Sequence, residues 1–193
     1  MKLLHKTLRK NSDVELMLLI RKGNKEAFSA LYDRYSDKLV RFFYRMLKKD
    51  LEKAQDFMHD IFVRIIENPA LFDTSKRFDT WIFHIAYNMC KNEYRKMTVR
   101  DEYHESQIYR ELYIDENGRN KIDHQKFSEE LNENLDLLDE KQRTVFLLRY
   151  QQDLSLREIA GIMDCPEGTV KSRLFYATKV LSEKLKVFDP KVN

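Results

Sequence analysis

The sequence predicts an all-α chain of two small helical domains joined by a flexible acidic linker, on three observations. Four glycines and three prolines stand among 193 residues that are 42% apolar and 35% charged, which favours long uninterrupted helices over strands and turns. Apolar side chains recur at three- and four-residue steps in two separate stretches, 13–97 and 127–187. Ser12, Asp50, Asp139 and Ser155 each stand where an N-cap is needed just ahead of such a run.

Residues 1–12 form a basic N-terminal tail. Ser12 with Glu15 makes a capping box before Leu16, Leu19 and Ile20, and Gly23 can end that helix in a left-handed conformation, so a helix is predicted over about 13–22. Phe28, Leu31, Tyr32, Tyr35, Leu39, Phe42, Phe43 and Met46 then form one wide apolar stripe on a long second helix. Asp50 caps a third helix carrying Ala54, Phe57, Met58, Ile61, Phe62 and Ile65, which Asn68 and Pro69 stop. A fourth begins after Asp79 with Ile82, Ile85, Ala86, Met89 and Cys90 on its inner side. These four helices can enclose one core, over 13–97.

Between 98 and 126 the periodicity fails around Gly118, and a polar linker is expected. As a flexible coil of that length it spans about 30 Å, and fully extended about 100 Å. Helical pattern resumes near Phe127 with Leu131, Leu135 and Leu138, and Asp139 with Gln142 caps the run Val145, Phe146, Leu147 and Leu148.

From Asp153 the chain reads DLSLREIAGIMDCPEGTVKSRLFYATKVL, two short helices meeting at a tight turn. Ser155 and Glu158 cap the first, whose Ile159 and Met163 face inward, and Ala160 permits close approach where the helices cross. Asp164 stands where Gly best serves the turn, and Pro166 suits the first turn of the second helix. Val170, Leu174, Ala177 and Leu181 recur on the buried side, leaving Glu167, Thr169, Lys171, Ser172, Phe175, Tyr176 and Lys179 around the outside. Lys171 and Ser172 can donate to base edges and Phe175 can meet a thymine methyl, while Arg173, Arg157 and Thr169 suit phosphate contacts.

Charge is divided along the chain in the same sense. Residues 1–96 carry 20 basic against 13 acidic side chains, net +7; 97–142 carry 6 against 13, net −7; 143–193 carry 9 against 6, net +3. Two basic blocks flanking an acidic one fit two nucleic-acid contacts with a connector between, because neutralised phosphates supply most sequence-independent affinity. An acidic connector can itself mimic nucleic acid. Enzyme classes lack their groups: there is no HExxH, CxxC, P-loop or Gly-rich phosphate cradle, and His5, His59, His84, His104 and His124 have no metal-ligand spacing. Cys90 and Cys165 stand apart, which suggests neither a thiolate site nor a disulfide. No catalytic residue, metal or cofactor is therefore expected. With no apolar run of about 18 residues and no secretory pattern in the basic tail, no membrane insertion is expected and the reading is cytoplasmic.

In order and spacing, FSALYDRYSDKLVRFFYRM from Phe28, AQDFMHDIFVRI from Ala54 and RFDTWIFHIAYNMCKNEYRK from Arg77 resemble region two of the bacterial sigma factor family, and the helix-turn-helix with EGTVKSRL resembles region four. The absence of a recognisable third domain between them resembles the layout of the extracytoplasmic-function (ECF) group. The resemblance implies that Asp56, His59, Asp60 and Phe62 dock on the coiled coil of the polymerase β′ subunit; the family more often carries Gln and Glu where this chain has His59 and Asp60. It implies that the segment around Phe78 to Lys96 melts and holds the promoter's minus-ten element. Phe78, Trp81 and Tyr87 would supply rings, Asn88 the polar edge for one flipped base, and Lys76, Arg77, Lys91, Arg95 and Lys96 phosphate contacts, with Thr80 on the same DNA-binding segment. For each ring, burial in the core is the alternative.

The implied partners are core RNA polymerase, through the β′ coiled coil and the β flap, promoter DNA, and an anti-sigma factor; the free protein is expected to be a monomer. The rival is a regulator that uses the same helix-turn-helix without polymerase, and it would leave the pattern from Trp81 to Lys96 unexplained.

Overall fold

The computed structural model describes residues 8, 10–100 and 121–186, which fall into two compact units. Among these residues the chain forms eight α-helices, two short 3-10 turns and no strand.

The first unit holds α1 (Asp13–Arg21), α2 (Lys25–Met46), α3 (Leu51–Glu67), a 3-10 turn (Pro69–Leu71) and α4 (Phe78–Arg100). Its helices begin where side chains can satisfy the free N–H groups of a first turn. Ser12 and Glu15 cap α1 reciprocally, Asn24 Oδ1 accepts from Ala27 N–H at 2.7 Å, and Asp50 Oδ1 accepts from Lys53 N–H at 3.0 Å. Gly23, at φ +79°, turns the chain from α1 into α2.

Helix α2 lies against α1, α3 and α4, and the apolar stripe read from the sequence is the one it buries. Its rings continue into α4 and the preceding loop: Tyr35 meets Phe78 at 5.1 Å between centroids, Phe42 meets Phe83 at 5.5 Å, and Phe72 meets Phe78 at 5.3 Å. Polar ties fix the periphery. Arg34 pairs with Asp13, Tyr35 Oη donates to the same carboxylate at 2.5 Å, Lys53 pairs with Glu93 at 2.6 Å, and Tyr94 Oη donates to the Met46 carbonyl.

The inward face of α4 differs from the expected one. Ile82, Phe83, Ala86, Tyr87 and Cys90 are buried, whereas Ile85 and Met89 are only half-buried, and the helix starts at Phe78 rather than after Asp79. Because α4 packs against both α2 and α3, it buries a wider arc than one stripe, and the arc is centred on the aromatic side.

The second unit holds α5 (Lys121–Asn134), a 3-10 turn (Leu135–Leu137), α6 (Glu140–Tyr150), α7 (Leu156–Met163) and α8 (Glu167–Lys184), with α6 and α5 lying against α8. Asp139 caps α6 through Gln142 N–H at 2.7 Å. Helix α5 begins at Lys121, inside the stretch expected to be linker; of that stretch, 101–120 lie outside the described residues, as do most of the basic tail and 187–193. Pro166 precedes α8 as its N-cap, at φ −58° and ψ 144°, instead of occupying its first turn. Its extended ψ sets the entry angle of the chain into the helix.

Candidate nucleic-acid interface and docking face

The helix-turn-helix is built from local signals. Ser155 N–H donates to Glu158 Oε2 at 2.8 Å and Glu158 N–H to Ser155 Oγ at 3.3 Å, which closes the capping box on α7. The turn is made by Asp164 in the left-handed region, φ 49° and ψ 56°, and Cys165 N–H returns to the Ala160 carbonyl at 3.1 Å. A non-glycine residue pays for that conformation, yet Asx side chains tolerate it best. Ile159, Met163, Val170, Ala177 and Leu181 are buried and Leu174 is half-buried, so the inward face of α8 is the predicted one.

Its outward face is open. Glu167, Lys171, Ser172, Phe175, Tyr176 and Lys179 are exposed, Thr169 and Arg173 are half-buried, and Arg157 is exposed on α7. Phe175 and Tyr176 retain 62% and 56% of their surface and touch edge to face at 5.5 Å. Two adjacent exposed rings among cationic and hydroxyl side chains form a surface suited to a partner that offers both apolar and anionic groups. Ser172 Oγ donates to the Thr169 carbonyl at 3.0 Å, and Arg173 Nη1 lies 3.6 Å from Cys165 Sγ. No side chain caps α8, and the first backbone bond into the helix runs from Thr169 N–H to the Pro166 carbonyl at 2.9 Å.

In the first unit the structure separates the expected ring set. Phe78 and Tyr87 are 2% and 5% exposed, so both belong to the core and neither presents a face to a base. Burying a large ring contributes roughly 1.5–3 kcal/mol, comparable with the 1–3 kcal/mol or so returned by stacking one base, and here packing takes both rings. Trp81 is half-buried, leaning on Phe72 at 5.3 Å and Phe78 at 5.5 Å with part of its ring outward. Lys76, Arg77, Arg95 and Lys96 are exposed, while Thr80, Asn88 and Lys91 are half-buried.

Arg77 pairs with Asp79 on its own chain. Burial pushes the Asp79 carboxyl upward, but the Arg77 guanidinium and the Thr80 N–H, which donates at 2.7 Å, outweigh it and hold the group below its ordinary value. The Asn88 amide nitrogen lies 3.2 Å from Nε2 of His84, a neighbour that the motif reading did not connect with it.

On α3, Asp56, His59 and Asp60 are exposed as expected, but Phe62 is 3% exposed and packs on Tyr32 at 4.7 Å and Phe28 at 5.8 Å. It shares the inner face with Met58, Ile61 and Ile65. The apolar component beside the acidic residues comes instead from Val63 and Ile66, 49% and 56% exposed, which the sequence reading missed. The spacing 56, 59, 60, 63, 66 would have placed them on one face. Among the described residues no cluster of three His, Cys, Asp or Glu side chains could hold a metal ion, and no helix is long and apolar enough to cross a membrane.

Residues 31–99 match the family Sigma-70 region 2, and residues 128–181 match Sigma-70, region 4. The chain is 30% identical to the ECF RNA polymerase sigma factor SigW of Bacillus subtilis over 86% of this chain and 93% of that protein. It is 29% identical to the ECF RNA polymerase sigma-E factor of Escherichia coli K12 over 90% and 94% of the two chains. Its fold is similar to that of the sigma factor RpoE in a structure with the anti-sigma factor NepR from Bartonella quintana, with a TM-score of 0.67 and 22% identity over 83% of this chain and 97% of that one. A regulator independent of polymerase has no need of the region 2 unit. The chain belongs to the ECF family of RNA polymerase sigma factors, and its activity is to direct transcription initiation.

Proposed function

We propose that this chain is a non-enzymatic cytoplasmic initiation subunit that works through two separate DNA surfaces and one polymerase surface. Helix α8 reads the minus-thirty-five element as duplex: Lys171 and Ser172 donate to base edges, Phe175 meets a thymine methyl, Tyr176, Lys179, Glu167 and Thr169 border the groove, and Arg157 and Arg173 hold phosphates. Helix α4 opens the minus-ten element, with Trp81 as the stacking ring, Asn88 as the receiver of one flipped base, Thr80 beside them, and Lys76, Arg77, Lys91, Arg95 and Lys96 along the strand. Extracting that base costs a few kcal/mol, of the same order as one stacking contact plus the phosphate contacts.

Asp56, His59, Asp60, Val63 and Ile66 dock on the β′ coiled coil, an acidic and apolar face suited to a basic, partly apolar helix; region 4 meets the β flap. An anti-sigma factor fits the reading, since the structure with a similar fold from Bartonella quintana is of a sigma factor with its anti-sigma factor. The free protein is a monomer, the acidic linker runs through the polymerase, and no cofactor takes part.

The observation that carries the reading is the outward face of α8, where Lys171, Ser172, Phe175 and Tyr176 are all exposed on a helix that no side chain caps. Assembly tests it. Holoenzyme formation with bacterial core polymerase, followed by gel filtration, should fail for a Val63→Asp, Ile66→Asp double variant that keeps its helical circular dichroism. Undiminished assembly of that variant would remove the docking assignment.

A further inference from the structure

We infer that Lys38 and Arg41 on α2 hold phosphates of the opened strand and so extend the DNA track of α4 onto a second helix. The inference rests on the reading that α4 holds the opened minus-ten strand. Arg34, Lys38, Arg41 and Arg45 follow one another at steps of four, three and four residues, so one face of α2 carries a basic row. Arg34 is taken by the Asp13 carboxylate. Among the described residues, neither Lys38 nor Arg41 pairs with a carboxylate. Lys38 is exposed, with Nζ 5.3 Å from the centre of the Tyr35 ring. Arg41 is half-buried, its Nε is shut off from water without a hydrogen-bond partner, and Asp37 one turn earlier is not paired with it.

A guanidinium N–H removed from water without an acceptor costs free energy that an incoming acceptor returns. Phosphate fits that vacancy in charge and in shape, because its oxygens match the planar fork. The position of the row points to the strand on α4. Phe43 of α2 meets Phe57 of α3, whereas Tyr35 and Phe42 meet Phe78 and Phe83 of α4. Lys38 stands three residues after Tyr35 and four before Phe42, so the row borders the α4 side of α2. On α4, Lys91 stands three residues before Tyr94, whose Oη donates to the Met46 carbonyl of α2, and Arg95 follows Lys91 by four. Both basic rows therefore border the seam between α2 and α4, and one anionic backbone can lie along them.

Arg41→Met removes the charge and keeps the half-buried stem, and Lys38→Ala removes the neighbouring charge. Holoenzyme made from core polymerase and the full chain is titrated, at several salt concentrations, with fork-junction promoter DNA whose unpaired minus-ten strand is either present or cut away. Each phosphate contact to a single strand adds about 0.7 to the slope of log affinity against log salt. With the strand present, Arg41→Met should lower that slope by about 0.7 and the double variant by about 1.4. Without the strand the slope should not change. Preference among the four bases should also stay the same, because phosphates carry no sequence. Arg41→Lys should keep the slope, and Arg41→Met should not lower the melting temperature, since the side chain gives up no bond in the free protein.

If the double variant keeps the full slope while Lys91→Ala with Arg95→Ala lowers it, the inference is overturned and the α4 track stands. An equal loss on both probes would assign the two residues to duplex DNA. Failure of the double variant to assemble with core, with its helical circular dichroism intact, would assign them to polymerase. Either result overturns the inference. If the Lys91 and Arg95 variants keep the slope as well, the underlying reading falls and the inference with it.

Discussion

The guanidinium of Arg143 closes on the main-chain carbonyl of Leu135, with Nε donating across 3.0 Å. Its Nη2 also reaches the Leu138 carbonyl at 3.3 Å and Asp136 at 3.4 Å, and the residue is only 7% exposed. One buried cation thereby ties α6 to the turn that precedes it. Hydrogen bonds from a charged donor contribute about 1.5–3 kcal/mol. Arg143→Ala should destabilise the second unit by about 2–3 kcal/mol through the loss of these charge-assisted bonds, and Arg143→Lys should recover only part of that because it lacks the planar fork. Hydrogen exchange resolved over 121–186 would measure it; protection unchanged in the Ala variant would contradict the assignment.

Asp164 stores strain in the turn between α7 and α8, at φ 49°. Asp164→Gly should stabilise the second unit by about 0.5–1 kcal/mol, since glycine adopts that conformation without a Cβ clash. Asp164→Val should destabilise it by more than that, and by more than Asp164→Asn. Thermal melting of the three variants gives the order, and a Gly variant less stable than the parent would show that the Asp side chain supports the turn.

Burial, then the hydrogen bond and charge of Asp13, hold the Tyr35 phenol far above its ordinary range. A group whose folded pKa is raised contributes stability that is complete below its unfolded value, near 10 for tyrosine, and is lost as pH rises beyond it. The first unit should therefore weaken progressively above about pH 10, and Tyr35→Phe should flatten that alkaline limb while lowering stability at neutral pH. An alkaline limb of the same slope in both proteins would refute the linkage.

On α8, Lys171 is exposed and Arg173 half-buried beside Cys165. Lys171→Ala should relax sequence preference at one or two base pairs, at about 1–3 kcal/mol for the cognate site. Arg173→Ala should weaken all duplexes alike and lower the salt slope by about one. Binding titrations at several salt concentrations distinguish the two, and equal behaviour of the variants would contradict the division of roles.

Features decided within a few residues were legible in the sequence. The capping boxes at Ser12 and Ser155 and the caps at Asp50 and Asp139 follow from side chains three residues or fewer from the groups they satisfy, and the left-handed turn at Gly23 follows from its lack of a Cβ. The inner stripe of α2 was legible because one long face carries it. Features decided by which neighbour a helix meets were not. The exception is Phe62, which shares the inward spacing of Met58, Ile61 and Ile65 and packs against Tyr32, whereas Val63 falls with Asp56, His59 and Asp60 on the outer face; that division was legible in the spacing, although the family resemblance pointed Phe62 outward. Phe78 and Tyr87 sit in a motif that suggested stacking, but the core needed their volume. The approach of His84 to Asn88 was implicit in a four-residue spacing.

Run-off transcription with bacterial core polymerase on a library of promoters tests the central claim most directly. Core polymerase with this chain should give transcripts from a defined subset of promoters above the level of core alone, and Lys171→Ala should broaden that subset. No transcript above core alone, despite sequence-specific binding of the chain to duplex DNA, would contradict the account and leave a regulator that acts without polymerase.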